Sequence, residues 1–258
     1  MDIFSLHHYQ FGSRLILGTG RYPTALLAKQ SIEASECQMV TVAVRRFHAL
    51  HALTPMLDWS KYCILPNTAG CRTSTEAVRV ALLAREMLQQ LGQTQNFLIK
   101  LEVIPDPVYL LPDAVGTLKA AEILTRKGFS VLPYMNADPV LALQLEQIGC
   151  AAVMPLASPI GSGQGIQHEH ALHLIIQNAR IPVIIDAGIA VPSDAARVME
   201  MGATAVLINS AIALSSSPVA MAEAMKLAVK AGRLAYLAGR MPFSPLAKAS
   251  SASFGSFL

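Results

Sequence analysis

Eight short apolar runs, many of them rich in β-branched residues, recur along the chain with helix-like segments between them, and this alternation leaves few folds open. They are Leu15 to Gly18, Val40 to Val44, Cys63 to Pro66, Phe97 to Ile104, Val131 to Tyr134, Ala152 to Leu156, Val183 to Asp186 and Ala205 to Asn209. Amphipathic stretches separate most of them: Ser74 to Leu91, Pro112 to Lys127, Pro139 to Ile148, Pro192 to Met201 and Pro218 to Ala231. Several open on Pro or on a capping Ser, Asp or Thr, as helix starts should. Eight strand–helix units in 258 residues match the size of a (β/α)8 TIM barrel of the α/β class, so residues 1–258 are expected to form one domain around a parallel eight-stranded barrel. A doubly wound open sheet is the structural alternative. The second unit is the weakest, because Phe47 to Tyr62 contains Pro55 and lacks a clean helical period. Met241 to Leu258, rich in Ser and Ala with sparse anchors at Phe243, Leu246, Phe254 and Phe257, reads as an irregular tail that either folds over the barrel mouth or stays mobile.

Composition narrows the function classes. A chain 53% hydrophobic and only 14% charged buries a large core, which argues against disorder. Its net charge of +3 comes from scattered residues rather than a basic stripe, so nucleic acid is not the expected partner. No signal peptide and no long apolar span is recognisable, and the four cysteines form no Cys-x-x-Cys pair; a cytoplasmic, reducing location with free thiols is expected, and no membrane. Cys71 alone, just after the Asn67-Thr68-Ala69-Gly70 turn, has a place near a site.

Within Phe97 to Ile104, Lys100 and Glu102 are two residues apart and share one strand face, while Ile99, Leu101 and Val103 take the other. With the apolar face outward on helices, the two charges point into the barrel. Desolvation there lowers a lysine pKa and raises a glutamate pKa. At its reference pKa a lysine is neutral in only about one molecule in 2,500 at pH 7, so imine chemistry needs such an environment. A structural ion pair is the other reading. In a barrel, function sits at the C-terminal ends of the strands, where this chain places Gly18-Thr19-Gly20, Asn67 to Gly70, Asp186-Ala187-Gly188-Ile189 and Asn209-Ser210-Ala211. Strand six runs into Ser158 to Gly165, a glycine-rich loop whose amides can approach an anion, with phosphate the natural guess. Asp186 ends an apolar run too early to cap the helix starting at Pro192, and reads as a site carboxylate able to pass protons with Glu102. His168, Glu169, His170 and His173 lack the spacing of a metal set, and His7 and His8 are expected to cover the barrel floor.

These motifs, with Leu111-Pro112-Asp113, Val131 to Tyr134 and Ala231-Gly232-Arg233-Leu234, give nearly the whole chain a resemblance to the thiazole synthases of thiamin biosynthesis. The resemblance implies a transferase in which Lys100 forms an imine with 1-deoxy-D-xylulose 5-phosphate and Glu102 and Asp186 shuttle protons. It places the sugar-phosphate contacts on Gly161, Ala187, Gly188, Asn209 and Ser210. It also implies dehydroglycine as co-substrate, sulfide from a sulfur-carrier protein with a C-terminal thiocarboxylate, no metal or other cofactor within this chain, and a homotetramer or dimer. Arg45, Arg46 and the Asn67 to Cys71 turn are the candidate entrance for the carrier tail, with a solvated arginine pair as the alternative. Ala190, where many members carry glycine, Pro105, and the segment from His48 to Pro55 depart from the pattern without removing a reactive group. A Schiff-base aldolase or phosphosugar isomerase, and a barrel serving only as a scaffold, are the competing classes.

Overall fold

The computed structural model describes residues 2–46 and 57–250. A short antiparallel hairpin, β1 (Phe4–Leu6) and β2 (Tyr9–Phe11), precedes eight parallel strands. These are β3 (Leu15–Gly18), β4 (Met39–Ala43), β5 (Cys63–Asn67), β6 (Leu98–Leu101), β7 (Ser130–Met135), β8 (Met154–Pro155), β9 (Ile184–Asp186) and β10 (Ala205–Ile208). They pair in the order β8-β7-β6-β5-β4-β3-β10-β9, and parallel bridges Val153–Val183 and Leu156–Asp186 join the two ends. The sheet therefore closes into the expected (β/α)8 barrel.

The helices among the described residues are α1 (Ala25–Ser35), α2 (Ser74–Gln90), α3 (Ala114–Arg126), α4 (Pro139–Ile148), α5 (Glu169–Asn178), α6 (Pro192–Glu200), the single turn α7 (Ser210–Ala213) and α8 (Pro218–Ala238). Their starts follow local chemistry. Thr24, Thr73, Asp113 and Asp138 each accept a first-turn amide, and Pro139, Pro192 and Pro218 occupy first-turn positions where no amide donor is needed. Outward strand residues such as Leu17, Val40, Ile99, Leu101, Val131 and Ile185 pack with the helices in one continuous core. Inward residues Ile16, Met39, Leu65, Leu98, Leu132, Met154, Ile184 and Leu207 fill the lower barrel.

Phe4, Leu6 and Phe11 of the hairpin seal that layer from below. The N-terminal segment thus covers the floor, but with these apolar residues. His7 and His8 stay exposed at the hairpin turn, where His7 takes a left-handed φ of 54°. Asp2 ties the floor to the last helix, accepting from Arg14 Nε and Nη2 (both 2.9 Å) and from Arg233 Nε (2.6 Å).

Two of the boundaries that differ from the sequence reading, at β8 and at the last helix, have plain physical reasons. The sixth barrel strand, β8, shrinks from the expected Ala152 to Leu156 to Met154–Pro155 because Pro155 has no amide to donate, and single bonds such as Leu156 N to Met135 O continue the pairing. The last helix runs on to Ala238, held by Arg233 and by Gly232, whose bare Cα lies against Ala196 O of α6. Most of the doubtful second crossover, with His48, His51 and Pro55, lies outside the described residues, as do Phe254 and Phe257; residues 57–62 contain one 3-10 turn, Trp59–Lys61. Residues 241–250 contain neither helix nor strand. No helix among the described residues is long and apolar enough to cross a membrane.

Candidate active site

Strand parity carries Lys100 and Glu102 inward, as their spacing requires, and Asp186 ends β9 on the far side of the same interior. The three side chains meet: Lys100 Nζ lies 3.2 Å from Glu102 Oε1 and 2.5 Å from Asp186 Oδ2. All three residues are at most 5% exposed. The contact with Asp186 is the shorter of the two ion pairs. The Tyr134 ring stands 5.6 Å from Nζ, and its buried hydroxyl has no hydrogen-bond partner among the described residues.

Three charges in so small a volume change the electrostatics expected from the strand alone. Burial pushes the Lys100 pKa down, but the attraction of Asp186 and then of Glu102 outweighs it and holds the amine above the ordinary lysine value. The expected lowering is therefore reversed in the unliganded site, and Lys100 rests as an ammonium ion. Glu102 moves in the direction expected: burial raises its pKa, opposed by Lys100 and reinforced by Asp186. Burial also raises Tyr134, which stays a neutral phenol.

Glu102 sits just past the last paired residue of β6, because a side chain replaces the neighbouring strand there. Thr68 Oγ1 accepts from Glu102 N (2.7 Å) and donates to Glu102 O (2.8 Å), from a fully buried position. One residue earlier, Asn67 Nδ2 donates to Thr41 Oγ1 (3.0 Å) and fixes the end of β5. The sequence marks the Asn67 to Cys71 turn without revealing that Thr68 holds Glu102, and it leaves Tyr134 outside the site although an inward position on β7 signals it.

Above the charged trio opens a cavity of about 1140 Å³, lined by Gly18 to Tyr22, Asn67, Lys100, Glu102, Gly161, Asp186 to Ala190 and Asn209 to Ala211, among others. All five residues expected to contact a sugar phosphate line it: Gly161, Ala187, Gly188, Asn209 and Ser210. Gly161, Gly163, Gly165 and Gly188 have positive φ, and so does Ala187 at 62°. Glycine is required at position 188, where a Cβ would lie 2.0 Å from Ser158 Oγ and 2.5 Å from Ser158 N. Asn209 is engaged sideways: with its amide turned to donate, it reaches Gly18 O (3.3 Å) and Gly20 O (2.8 Å), locking the loop after β3 to the loop after β10.

The entrance candidates divide. Arg45 and Arg46 both line the cavity and are exposed, and Arg45 pairs with Glu76 at 3.7 Å. Cys71 is buried behind the rim, 3.9 Å from Arg45 Nη2, and does not line the cavity. All four cysteines are free, and burial pushes the thiols of Cys37 to about 11 and of Cys63 and Cys150 to about 12. His168, His170 and His173 are exposed, and among the described residues no group of three or more His, Cys, Asp or Glu side chains converges as a metal site.

A family model described as "Thiazole biosynthesis protein ThiG" matches residues 5–252. The chain is 79% identical to a thiazole synthase of Cyanidioschyzon merolae over the full length of both. It is 57% identical to a bifunctional ThiO/ThiG protein of Synechocystis, covering 98% of this chain and 39% of that one. Among solved structures, a chain of the Amycolatopsis orientalis BexX/CysO complex superposes with a TM-score of 0.81 at 31% identity, covering 94% of this chain and 98% of that one. With a barrel, an interior lysine–dicarboxylate trio and these relatives together, the chain belongs to the thiazole synthase family of thiamin biosynthesis.

Proposed function

We propose that this chain builds the thiazole phosphate of thiamin from 1-deoxy-D-xylulose 5-phosphate, dehydroglycine and sulfide delivered by a thiocarboxylated sulfur-carrier protein, through an imine on Lys100. The observation that carries the reading is the Lys100 ammonium, buried between two carboxylates at the base of a cavity rimmed by glycine-rich loops.

An ammonium is not a nucleophile, so the first step is proton transfer from Nζ to a neighbouring carboxylate. Glu102, whose pKa is raised, is a suitable acceptor at 3.2 Å. Free Lys100 then adds to the C2 ketone. The resulting carboxylic acid returns its proton to the carbinolamine oxygen, which leaves as water and yields the iminium. That cation acidifies the C3 proton, which Asp186 or Glu102 removes, and reprotonation of the enaminol at C2 leaves a ketone at C3 with the lysine as an amine. The thiocarboxylate sulfur adds at C3; acyl transfer from sulfur to the C3 oxygen and loss of that oxygen as the carrier's carboxylate leave a thiocarbonyl at C3. Dehydroglycine closes the ring and Lys100 departs as the free amine. We assign the C3 transfers to Asp186 and the imine transfers to Glu102.

Borohydride reduction with and without 1-deoxy-D-xylulose 5-phosphate, followed by peptide mass mapping, tests the imine. A sugar-phosphate adduct on the peptide containing Lys100, lost in Lys100→Ala, is expected. Folded protein that gives no adduct at saturating sugar phosphate refutes the mechanism.

A further inference from the structure

Five non-glycine residues adopt a left-handed backbone among the described residues: His7, Arg21, Glu36, Leu110 and Ala187. His7 turns the hairpin and Glu36 ends α1, which are ordinary uses. The other three all line the cavity. Such backbone costs roughly 1–2 kcal/mol at a non-glycine residue and persists where surrounding structure enforces it. Ala187 belongs to the expected phosphate contacts; Arg21 has no role so far.

Charge balance shows what the cavity lacks. Lys100, Glu102 and Asp186, counted as ionised, sum to one negative charge, and a phosphomonoester adds about −1.5 to −2 at pH 7. Backbone amides alone would have to hold that anion beside an already negative base. Four arginines line the cavity: Arg21, Arg45, Arg46 and Arg72. Arg45 is paired with Glu76, and Arg72 Nε donates to Pro105 O. Arg46 lies on the β4 side, with Nη1 3.7 Å from where a Cβ on Gly20 would stand. Arg21 reaches the loop after β8, its Nη1 3.4 Å from where a Cβ on Gly161 would stand. No carboxylate among the described residues pairs with it.

We infer that Arg21 is a substrate-binding residue, held in a strained left-handed conformation so that its guanidinium supplies the positive charge of the phosphate subsite formed by Gly161 and the Ala187-Gly188 turn. The inference rests on reading the cavity as a sugar-phosphate site. A planar guanidinium suits phosphate because it offers paired donors in addition to charge.

The test titrates inorganic phosphate calorimetrically into the full-length protein, Arg21→Gln and Arg21→Lys. Arg21→Gln is expected to weaken phosphate about tenfold or more, and Arg21→Lys to recover much of the loss. In borohydride trapping, Arg21→Gln should raise the half-saturating concentration of 1-deoxy-D-xylulose 5-phosphate by a similar factor, leaving both the maximal adduct yield and the half-saturation for unphosphorylated 1-deoxy-D-xylulose unchanged. If Arg21→Gln does not fold, Arg21→Gly, whose backbone accepts this conformation, carries the same comparison. Equal phosphate affinity with and without the arginine, or no phosphate binding by the unaltered protein, overturns the inference. Arg21-dependent phosphate binding without an adduct on Lys100 refutes the imine and leaves Arg21 in place.

Discussion

Thr68→Val tests how Glu102 is held. Valine keeps the shape of threonine and removes one oxygen, but that oxygen serves both the amide and the carbonyl of Glu102, at 2.7 and 2.8 Å. Thr68 is 0% exposed and Glu102 only 5%, so water does not replace the lost partner. A buried polar group left unpaired costs roughly 1–3 kcal/mol, so two of them cost about 2–6 kcal/mol. In a chain of this size the melting temperature should fall by roughly 5–20 °C. Thr68→Ser is the comparison: it keeps the oxygen, loses one buried methyl, and should cost only about 1 kcal/mol. Guanidinium denaturation of the three proteins reads the difference, with unchanged slopes showing that only stability has moved. Because Glu102 is a partner of Nζ, Thr68→Val should also slow adduct formation on Lys100 more than Thr68→Ser does. A valine variant as stable as the serine one would refute the assignment of Thr68 as the clamp on the strand end.

Other expectations follow from the same geometry. Gly188→Ala places a methyl against Ser158 N at positive φ, and should cost about 2–5 kcal/mol in denaturation while weakening sugar-phosphate saturation. Hydrogen bonds from Arg233, with further help from Arg14, hold the Asp2 carboxyl well below the usual carboxylate range. A depressed carboxylate stabilises the fold above its unfolded pKa of about 3.9 and loses that effect as pH falls through the folded value. Thermal melts of Asp2→Asn should thus lie below those of the unaltered protein at pH 7, with the gap closing only well below pH 4. In the double variant Glu102→Gln, Asp186→Asn, burial remains and the attraction is gone, so the Lys100 pKa should fall below the ordinary lysine value. Reductive 13C-methylation and NMR titration of the lysine read that sign, and a pKa still above the free value would contradict the account.

The parts of this molecule legible in its sequence are those written in local patterns. Apolar runs with helix caps between them fixed the strand count and barrel, and two-residue spacing fixed which face of β6 turned inward. Glycines at strand ends marked the loops around the cavity. The first helix, Ala25–Ser35, was harder to see, since Lys29, Gln30, Glu33 and two serines blur its apolar stripe and its end depends on Glu36 in a left-handed turn. The two serines are buried, and Ser31 and Ser35 satisfy their hydroxyls on the carbonyls of Leu27 and Ile32. The extra strand length expected after Leu101 failed for a related reason: the backbone bonds of Glu102 go to the Thr68 side chain, just past the end of β5.

The sign of the Lys100 shift shows where strand-level reasoning stops. Burial and one nearby glutamate can be read from the run Phe97 to Ile104, and alone they leave the balance between desolvation and attraction open. Asp186 decides it, from 86 positions further along the chain, because barrel closure brings the ends of β6 and β9 together across one interior. For the proposed imine chemistry the consequence is that the amine would first have to give up a proton. Two carboxylates within 3.2 Å of a single ammonium leave the trio one negative charge in excess, so a proton passed from Nζ to Glu102 stays within the site and leaves the total charge unchanged. In the proposed reaction, substrate entry would bias that transfer, because a ketone skeleton packed against Nζ adds desolvation, which favours the neutral amine. The same closure that buries the lysine thereby places carboxylates able to accept its proton within reach of it.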